Sequence, residues 1–417
     1  MPLLRSFRNR KFALLWGGQT LSRIGDFIHE IALAWWVLEK TGSAGMMATV
    51  LIVAFIPMLV FTLIGGVLVD RLPRARVMLI SDMAHGVVMS LIAVFSFAGT
   101  LEIWHVYVAA FIFGLADAFF QPAFAAFVPD VVPDNELPGA NALNSLGIQA
   151  GRILGPAIGG SLVALGGTSI AFAADAATFF VSSAMLLPLL SVKGNGISRG
   201  AVTPEGEPSP LGTPPAPEML AEVRDGLQFV ARAPWLWISI LLYALTNVML
   251  SGPYSISLPY LVQGRWDDPR VLGWLYAIFP AGYVVGSLWL GNRETIRRRG
   301  ALIYVGTALA GAMLGLFGLP LPIWALGVAA FINGIALQLG TLAWTNALQT
   351  LAPRDMLGRV SSVDALGSFA LIPIGYALTG WATDLLGAPL VFLIGGGVTA
   401  LAAALVFALN RAVRGLD

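Results

Sequence analysis

Apolar runs of about 20 residues, the length a helix needs to cross the hydrocarbon of a bilayer, recur along most of this sequence. Twelve stand out, at roughly 12–38, 44–69, 77–98, 103–128, 139–165, 168–191, 234–262, 270–291, 301–319, 322–350, 359–386 and 388–410. Polar and charged residues collect between them, which predicts an all-α membrane protein of twelve transmembrane helices. The first, seventh, tenth and eleventh runs are less purely apolar than a lone anchor, as expected of helices that line a wet cavity. The longest polar interruption, 192–217, is rich in Gly, Pro and Ser and cannot bury a core, so it reads as a linker. Residues 218–232 follow with Leu220, Val223, Leu227 and Val230 at helical spacing. That amphipathic pattern fits a helix on the inner membrane surface and a solvated linker helix equally well. The predicted organisation is therefore a six-helix half over 1–191, a cytoplasmic linker with an amphipathic helix over 192–232, and a second six-helix half over 233–417.

The halves repeat each other at an offset of about 220 residues. Gly66 pairs with Gly286, Gly114 with Gly334, Pro133 with Pro353, Gly147 with Gly367, Gly155 with Gly375, Gly160 with Gly380 and Gly167 with Gly387. The register holds without a gap.

Composition agrees with the runs. Of 417 residues 57% are hydrophobic and 11% charged, and the mean hydropathy is +0.80, so the solvent of this chain is mostly lipid and soluble enzyme classes drop out. A net charge of +1 leaves no nucleic-acid footprint, and the absence of cysteine removes disulfides and thiolate metal sites. Three histidines with no H-E-x-x-H spacing, and no nucleophile–base set, predict neither a metal, a cofactor nor an enzyme. Arg5, Arg8, Arg10 and Lys11 precede the first run without a small-residue cleavage site, so that run reads as an uncleaved span.

Basic residues set the orientation, because Lys and Arg in short loops stay on the cytoplasmic side. The N-terminal tail, Arg71, Arg74, Arg76, Lys193, Arg199, Arg224, Arg232, Arg293, Arg297 to Arg299, Arg354, Arg359, Arg411 and Arg414 fall on one side, and only Lys40, Arg265 and Arg270 on the other. Both termini are predicted to be cytoplasmic, in a bacterial inner membrane. Trp35, Trp36, Trp104 and Trp266 then fall near the outer interface, and Trp16, Trp235 and Trp237 near the inner one.

The fifth run contains Gly151, Gly155, Pro156, Gly159 and Gly160 as G-x-x-x-G-P-x-x-G-G. Small residues every fourth position let two membrane helices approach closely, and an internal proline bends the helix. The stretch resembles the antiporter motif in the fifth span of major facilitator superfamily exporters. The loop after the second run, Gly66-Val-Leu-Val-Asp70-Arg71-Leu-Pro73-Arg74-Ala-Arg76, resembles that superfamily's G-x-L-x-D-R-x-G-R-[KR] signature, with Pro73 in the glycine position and one basic position displaced to Arg76. An acid and a basic cluster at a membrane surface can pair with neighbouring helix ends and acids, holding one conformer closed. The expected partners are Asp130 and the stretch around Ser361 and Ser362. Further stretches, Gln19 to Asp26 with Ala34-Trp35, Gly114-x-x-Asp117-Ala-Phe-x-x-Pro122 and Val128 to Asn141, look like the exporter group that includes bacterial macrolide efflux permeases and the enterobactin exporter. The resemblance implies parallel halves with substrate bound between them. Ala110 stands where many drug/proton antiporters of the superfamily carry an arginine, so coupling cannot be inherited from that residue.

A charge at mid-bilayer costs at least ~2.5 kcal/mol and persists where something compensates it. Gln19, Arg23, Asp26 and Glu30 are spaced by four, three and four, on one face of the first span, with His29 beside them. Asp117 and Gln121 lie one turn apart on the fourth span, and Gln149 and Arg152 on the fifth. Arg23–Asp26 and Asp117–Arg152 could be neutral structural pairs. Counting still leaves Asp26, Glu30 and Asp117 against Arg23 and Arg152, so one acid lacks a partner, and an unpartnered acid in dry surroundings can carry a proton. Asp82 and Asp364 are expected near inner span ends within reach of water, and Asp175 on a sixth span that the resemblance implies is peripheral. The second half offers a neutral surface of Tyr243, Thr246, Asn247, Asn333, Gln338, Thr345 and Asn346, with Trp344 and Tyr254 for flat contacts.

These features predict a monomeric secondary active efflux permease whose partners are a small amphipathic molecule, protons and the lipid bilayer. Asp26, Glu30, Asp117 and Arg152 are the expected coupling residues. Gly66, Asp70, Arg71, Arg74 and Asp130 are the expected gate. Gln19, Arg23, Asp26, Gln121, Asn247, Asn333 and Gln338 are the expected substrate contacts. The alternatives are an uncoupled facilitator or phospholipid translocator of the same fold and, further off, a membrane sensor.

Overall fold

The structure is a computed structural model that describes residues 6–69, 71–192, 224, 226–293, 295–353 and 356–417. Those residues are helical almost throughout: α1 (Arg10–Thr41), α2 (Ala44–Val69), α3 (Arg74–Phe97), α4 (Ile103–Val131), α5 (Leu137–Leu186), α6 (Pro234–Thr246), α7 (Leu258–Arg265), α8 (Pro269–Gly291), α9 (Arg299–Gly315), α10 (Ile323–Leu351), α11 (Leu357–Phe369), α12 (Ile372–Leu386), α13 (Ala388–Leu409) and the short α14 (Arg411–Arg414). Among the described residues ten helical stretches are long and apolar enough to cross a membrane. The protein is a multi-pass membrane protein. Helix α1 misses that apolar standard because of its charges, yet its 32 residues reach about 48 Å at 1.5 Å per residue, ample for a bilayer.

The breaks between helices have local chemical causes. Two limbs, 137–166 and 168–186, make up α5, and they part at Gly167, where φ is 77° and ψ 174°. A side chain is rarely tolerated at that φ, and the equivalent Gly387 repeats it at φ 80° before α13. The predicted seventh run is interrupted by π-turns over Asn247–Ser251 and Pro253–Ser257, because Pro253 has no N–H to continue the ladder. The predicted eleventh run breaks between α11 and α12, just before Pro373 in the first turn of α12. Pro156, by contrast, sits inside a continuous helical limb.

The chain divides into two compact units, 1–209 with 262–277, and 210–261 with 278–417. In the first, both limbs of α5 grip α1. Gly147, Gly151, Gly155 and Gly159 on one limb face Thr20, Arg23, Ile24, Phe27 and Ile28, while Gly18 and Gly25 of α1 face Ser182, Asp175 and Thr178 on the other. Phe12, Leu15, Met78, Phe127, Leu143 and Leu189 close one end of this unit as an apolar core. In the second unit, α9 lies against α13 through Gly311 and Gly396, each of which would meet the other helix's backbone if it carried a Cβ. The core there contains Leu236, Tyr304, Trp344 and Val360. The described part of the expected amphipathic helix, 226–232, is helical. It turns Val230 into that core and leaves Leu227 exposed. Large apolar side chains such as Ile80, Leu165, Trp324 and Leu409 stand exposed, as lipid-facing positions do.

Two tryptophans depart from the aromatic-belt expectation. Trp35 and Trp36 are buried, because the last third of α1 is enclosed by its neighbours over 31–38 and leaves no face for an interface.

The internal repeat reappears as contacts. Gly147 packs on Thr20 and Gly367 on Ile240; Gly155 packs on Phe27 and Gly375 on Val248. Each pair in the second unit lies about 220 residues beyond its counterpart.

Candidate functional site

The polar face of α1 opens on a pocket within the first unit, lined by Gln19, Arg23, Asp26, Asp82, His85, Asp117 and Gln121 among others. Helix periodicity brings the α1 residues together, and α3 and α4 add one acid each. Three carboxylates, Asp26, Asp82 and Asp117, share one guanidinium there. Among the described residues neither Arg23 nor Arg152 forms an ion pair, so the alternative of neutral structural pairs, Arg23–Asp26 and Asp117–Arg152, is not formed. Arg23 instead lies over the Phe124 ring, its guanidinium carbon 5.7 Å from the centroid. Arg152 acts electrostatically on Glu30.

The residues expected in this site divide by accessibility. Asp26, Gln121 and Arg152 are exposed, while Arg23, Glu30 and Asp117 are partly buried. Gln19 is buried, and its amide nitrogen donates to Asp82 Oδ2 at 3.3 Å and to Ser182 Oγ at 3.0 Å. Ser182 donates in turn to the same Asp82 oxygen at 2.6 Å. The Gln19 side chain thus serves a buried network joining α1, α3 and α5.

Two expectations about acids need correction. Asp82 is only 1% exposed, so bulk water does not bathe it; Gln19 and Ser182 solvate it instead. Asp175 is 0% exposed, because the second limb of α5 turns it toward α1 rather than toward lipid. Asp82 and His85 are three apart on α3, and Asp175, Thr178 and Ser182 three and four apart on α5. That helical spacing of polar residues within apolar runs is the signal that marks them as one cluster. His85 was missed by the reading of the chain and stacks on Phe179 at 4.8 Å. Ala110 is buried and lines a second, apolar cavity with His29, Val106 and Phe113.

The glycine–proline stretch has two contact edges. Toward α1, a Cβ at Gly151 would lie 3.2 Å from the Arg23 carbonyl oxygen, and one at Gly159 3.0 Å from that of Ile28. At Gly155 it would collide with Phe27. On the other edge, a Cβ at Gly160 would come within 2.5 Å of the Pro269 carbonyl oxygen, and one at Gly273 of α8 would strike the carbonyl of Pro156. Gly155, Gly160 and Gly273 thus leave no room for a side chain without a shift of the facing helix, and Gly151 and Gly159 leave little.

Of the loop residues expected to gate, Arg74 pairs with Asp130, Nη1 to Oδ2 at 2.8 Å, and also donates to the Ala126 carbonyl at 3.0 Å. The pair ties the start of α3 to the end of α4. Arg71 is exposed. Asp70 lies outside the described residues, as does the side-chain surrounding of Gly66.

In the second unit, Asn333 is buried and donates to the Ala310 carbonyl at 2.6 Å, Asn247 to the Ser368 carbonyl at 2.8 Å, and Gln338 to Ser287 Oγ at 2.8 Å. These amides hold helices together. The Trp344 ring is buried, and its indole donates to Asp364 at 3.1 Å, so it presents no flat open face. Asp364 also accepts from Ser368.

The profile of a family described as transmembrane secretion effector matches residues 3–417. The chain is 28% identical to the multidrug efflux pump Tap of Mycolicibacterium fortuitum, over 88% of each chain. It is 25% identical to macrolide efflux protein A of Streptococcus pyogenes, over 98% of this chain and 97% of that one. Its fold is similar to the inward-facing crystal structure of a bacterial homologue of the iron transporter ferroportin, with a TM-score of 0.72 at 15% identity, covering 95% of this chain and 98% of that one. Helices built to span a bilayer, a glycine seam that brings them together and a profile match along nearly the whole length place this chain in the transmembrane secretion effector family of major facilitator transporters, not among enzymes.

Proposed function

We propose that this protein is a secondary active efflux permease of the bacterial inner membrane, exporting a small amphipathic molecule in exchange for protons. The observation that carries the reading is the pocket in which Asp26, Asp82 and Asp117 share the single guanidinium of Arg23. Such a set is costly in a membrane and has a use where protons are loaded and released. The names of the relatives, a multidrug pump and a macrolide efflux protein, support export of an organic compound. In this reading the chain spans the membrane twelve times in two six-helix halves, α5 counting as two spans, with both termini cytoplasmic, and works as a monomer.

Asp26 and Asp117 carry the proton, with Glu30 and Arg152 setting the local field. Arg23 and Gln121 join Asp26 in contacting substrate. The Gly151 to Gly160 seam carries the helix motion. Gly66, Asp70, Arg71, Arg74 and Asp130 latch one conformer.

Expression in a host stripped of its own pumps tests the reading directly. Resistance to some amphipathic compounds should rise, and ethidium efflux should stop on adding an uncoupler. Efflux that ignores the uncoupler would favour a facilitator or phospholipid translocator, the reading that Ala110 supports by standing where drug antiporters carry an arginine.

The latch gives a second expectation. Arg74→Gln and Asp130→Asn should each slow ethidium efflux roughly three- to tenfold, and the double variant should be no slower than the worse single one, since residues that act as a pair are not additive. Multiplying losses would show that the two side chains work independently.

A further inference from the structure

We propose that Asp175 and His29 form a second proton-binding site, set in the helix packing of the first unit behind the polar pocket. The proposal rests on the transporter reading for its purpose but not for its chemistry. Asp175, on the second limb of α5, is fully enclosed. Its Oδ2 lies 3.8 Å from His29 Nδ1 on α1. Among the described residues neither carboxylate oxygen has a hydrogen-bond partner, nor has His29 Nδ1. The adjacent Thr178 hydroxyl is committed elsewhere, donating to the Asp175 main-chain carbonyl at 2.7 Å. Aromatic rings flank the imidazole, which also lines the apolar cavity: His29 lies 5.5 Å from Phe113 and 5.8 Å from Phe172.

A buried polar group without a partner is costly, so this arrangement calls for something that would satisfy it. One proton does. Placed between the carboxyl and the imidazole, with a closure of about 1 Å to ordinary hydrogen-bond length, it satisfies both groups and leaves the pair neutral. Without it the pair keeps the carboxylate's negative charge in apolar surroundings, even when the imidazole carries its own N–H on Nδ1. The titratable groups nearest the pair are Asp26 from α1 and His85 from α3, which also line the polar pocket with Arg23, Asp82 and Asp117. Of these Asp26 acts directly on Asp175 and His85 on His29. His85 sits across Phe113 from His29, at 4.4 Å from that ring, and lines the polar pocket. Charge in the pocket is thereby felt at the pair.

The internal repeat argues that packing alone does not demand these residues. Gly167 and Gly387 share the same left-handed turn. Eight residues past each stand Asp175 and Gly395. A Cβ on Gly395 would meet the main-chain carbonyl of Met249, and Met249 lies about 220 residues beyond His29. The second unit thus builds the same crossing from glycine and methionine. In the first unit room is made for the acid: a Cβ at Gly25 would lie 2.5 Å from Asp175 Oδ1. The site is an addition to the crossing, accommodated at Gly25.

The test is a pH titration of the full chain in liposomes, followed by infrared difference spectroscopy of its carboxyl and carboxylate bands. Among the carboxyl titrations of wild type, one should be lost in Asp175→Asn, and its midpoint should move by about one pH unit or more in His29→Gln. Identical titrations in wild type and Asp175→Asn would overturn the site. Should Asp175→Asn not fold, His29→Gln decides alone, an unchanged titration counting against the site and a displaced one for it. Ethidium flux in the same liposomes separates this from the export reading. A titrating Asp175 in a wild type whose flux ignores the pH gradient would leave the site standing and remove proton-coupled export.

Discussion

Gly155→Leu inserts into the membrane but exports less than roughly a tenth of what wild type does. The Cβ at this position has no room beside Phe27, and the Ile24 carbonyl oxygen lies 2.8 Å from it, so the larger side chain must push α1 away from the first limb of α5. Overpacking of that kind costs roughly 1–3 kcal/mol even where neighbours adjust, and each 1.4 kcal/mol added to a rate-limiting motion is about a tenfold loss in rate. Gly155→Ala should fall between the two. The measurement is ethidium efflux normalised to membrane-inserted protein, and wild-type efflux from Gly155→Leu would reduce the seam to inert packing.

The second large effect concerns coupling. An electroneutral exchanger that trades one proton per substrate accumulates substrate about tenfold for each pH unit across the membrane, since one unit is worth about 1.4 kcal/mol. Asp26→Asn or Asp117→Asn should bring that ratio down to about one while downhill exchange continues, because only the coupled step needs a titrating group. Proteoliposomes under an imposed gradient, loaded with ethidium, give both numbers from one preparation. Accumulation that survives in both variants would remove these two acids as carriers and leave Asp82 as the acid of the pocket still to be tested.

Much of this architecture was legible in the chain because the determining signals are local. Apolar length marks a span, and glycines four apart mark a close crossing whichever helix supplies the other side. The offset of about 220 residues, read from single glycines, returns as matched contacts at Gly147 with Gly367 and Gly155 with Gly375. What the sequence did not reveal depends on neighbours. Asp82 and Asp175 could be assigned a depth along their helices but not a covering surface, and both are covered by α1 and its partners. Gln19, a plausible substrate contact by its place on the polar face, is drawn into packing by Asp82 and Ser182, 63 and 163 residues away. The breaks at Pro253 and Pro373 did carry a local signal, for proline in an otherwise helical run removes a backbone donor. In the second unit, Asn333 and Gln338 look like ligand contacts in a list of polar residues. Only the positions of Ala310 and Ser287 reveal them as cross-helix ties.

The grip of α5 on α1 also bears on how the chain is made. Helix α1 is made before α5, and the limb that completes its enclosure ends at Leu186. About 145 residues of synthesis separate the end of α1 at Thr41 from that point, a delay of roughly 7–30 s at 5–20 residues per second. Throughout that interval the face of α1 around Gly18 and Gly25 lacks its final partners on the second limb of α5, and the expectation is that the insertion machinery holds α1 until α5 is complete. Nascent chains arrested before Gly167 should therefore remain crosslinkable to that machinery through α1, and chains arrested beyond Leu186 should not.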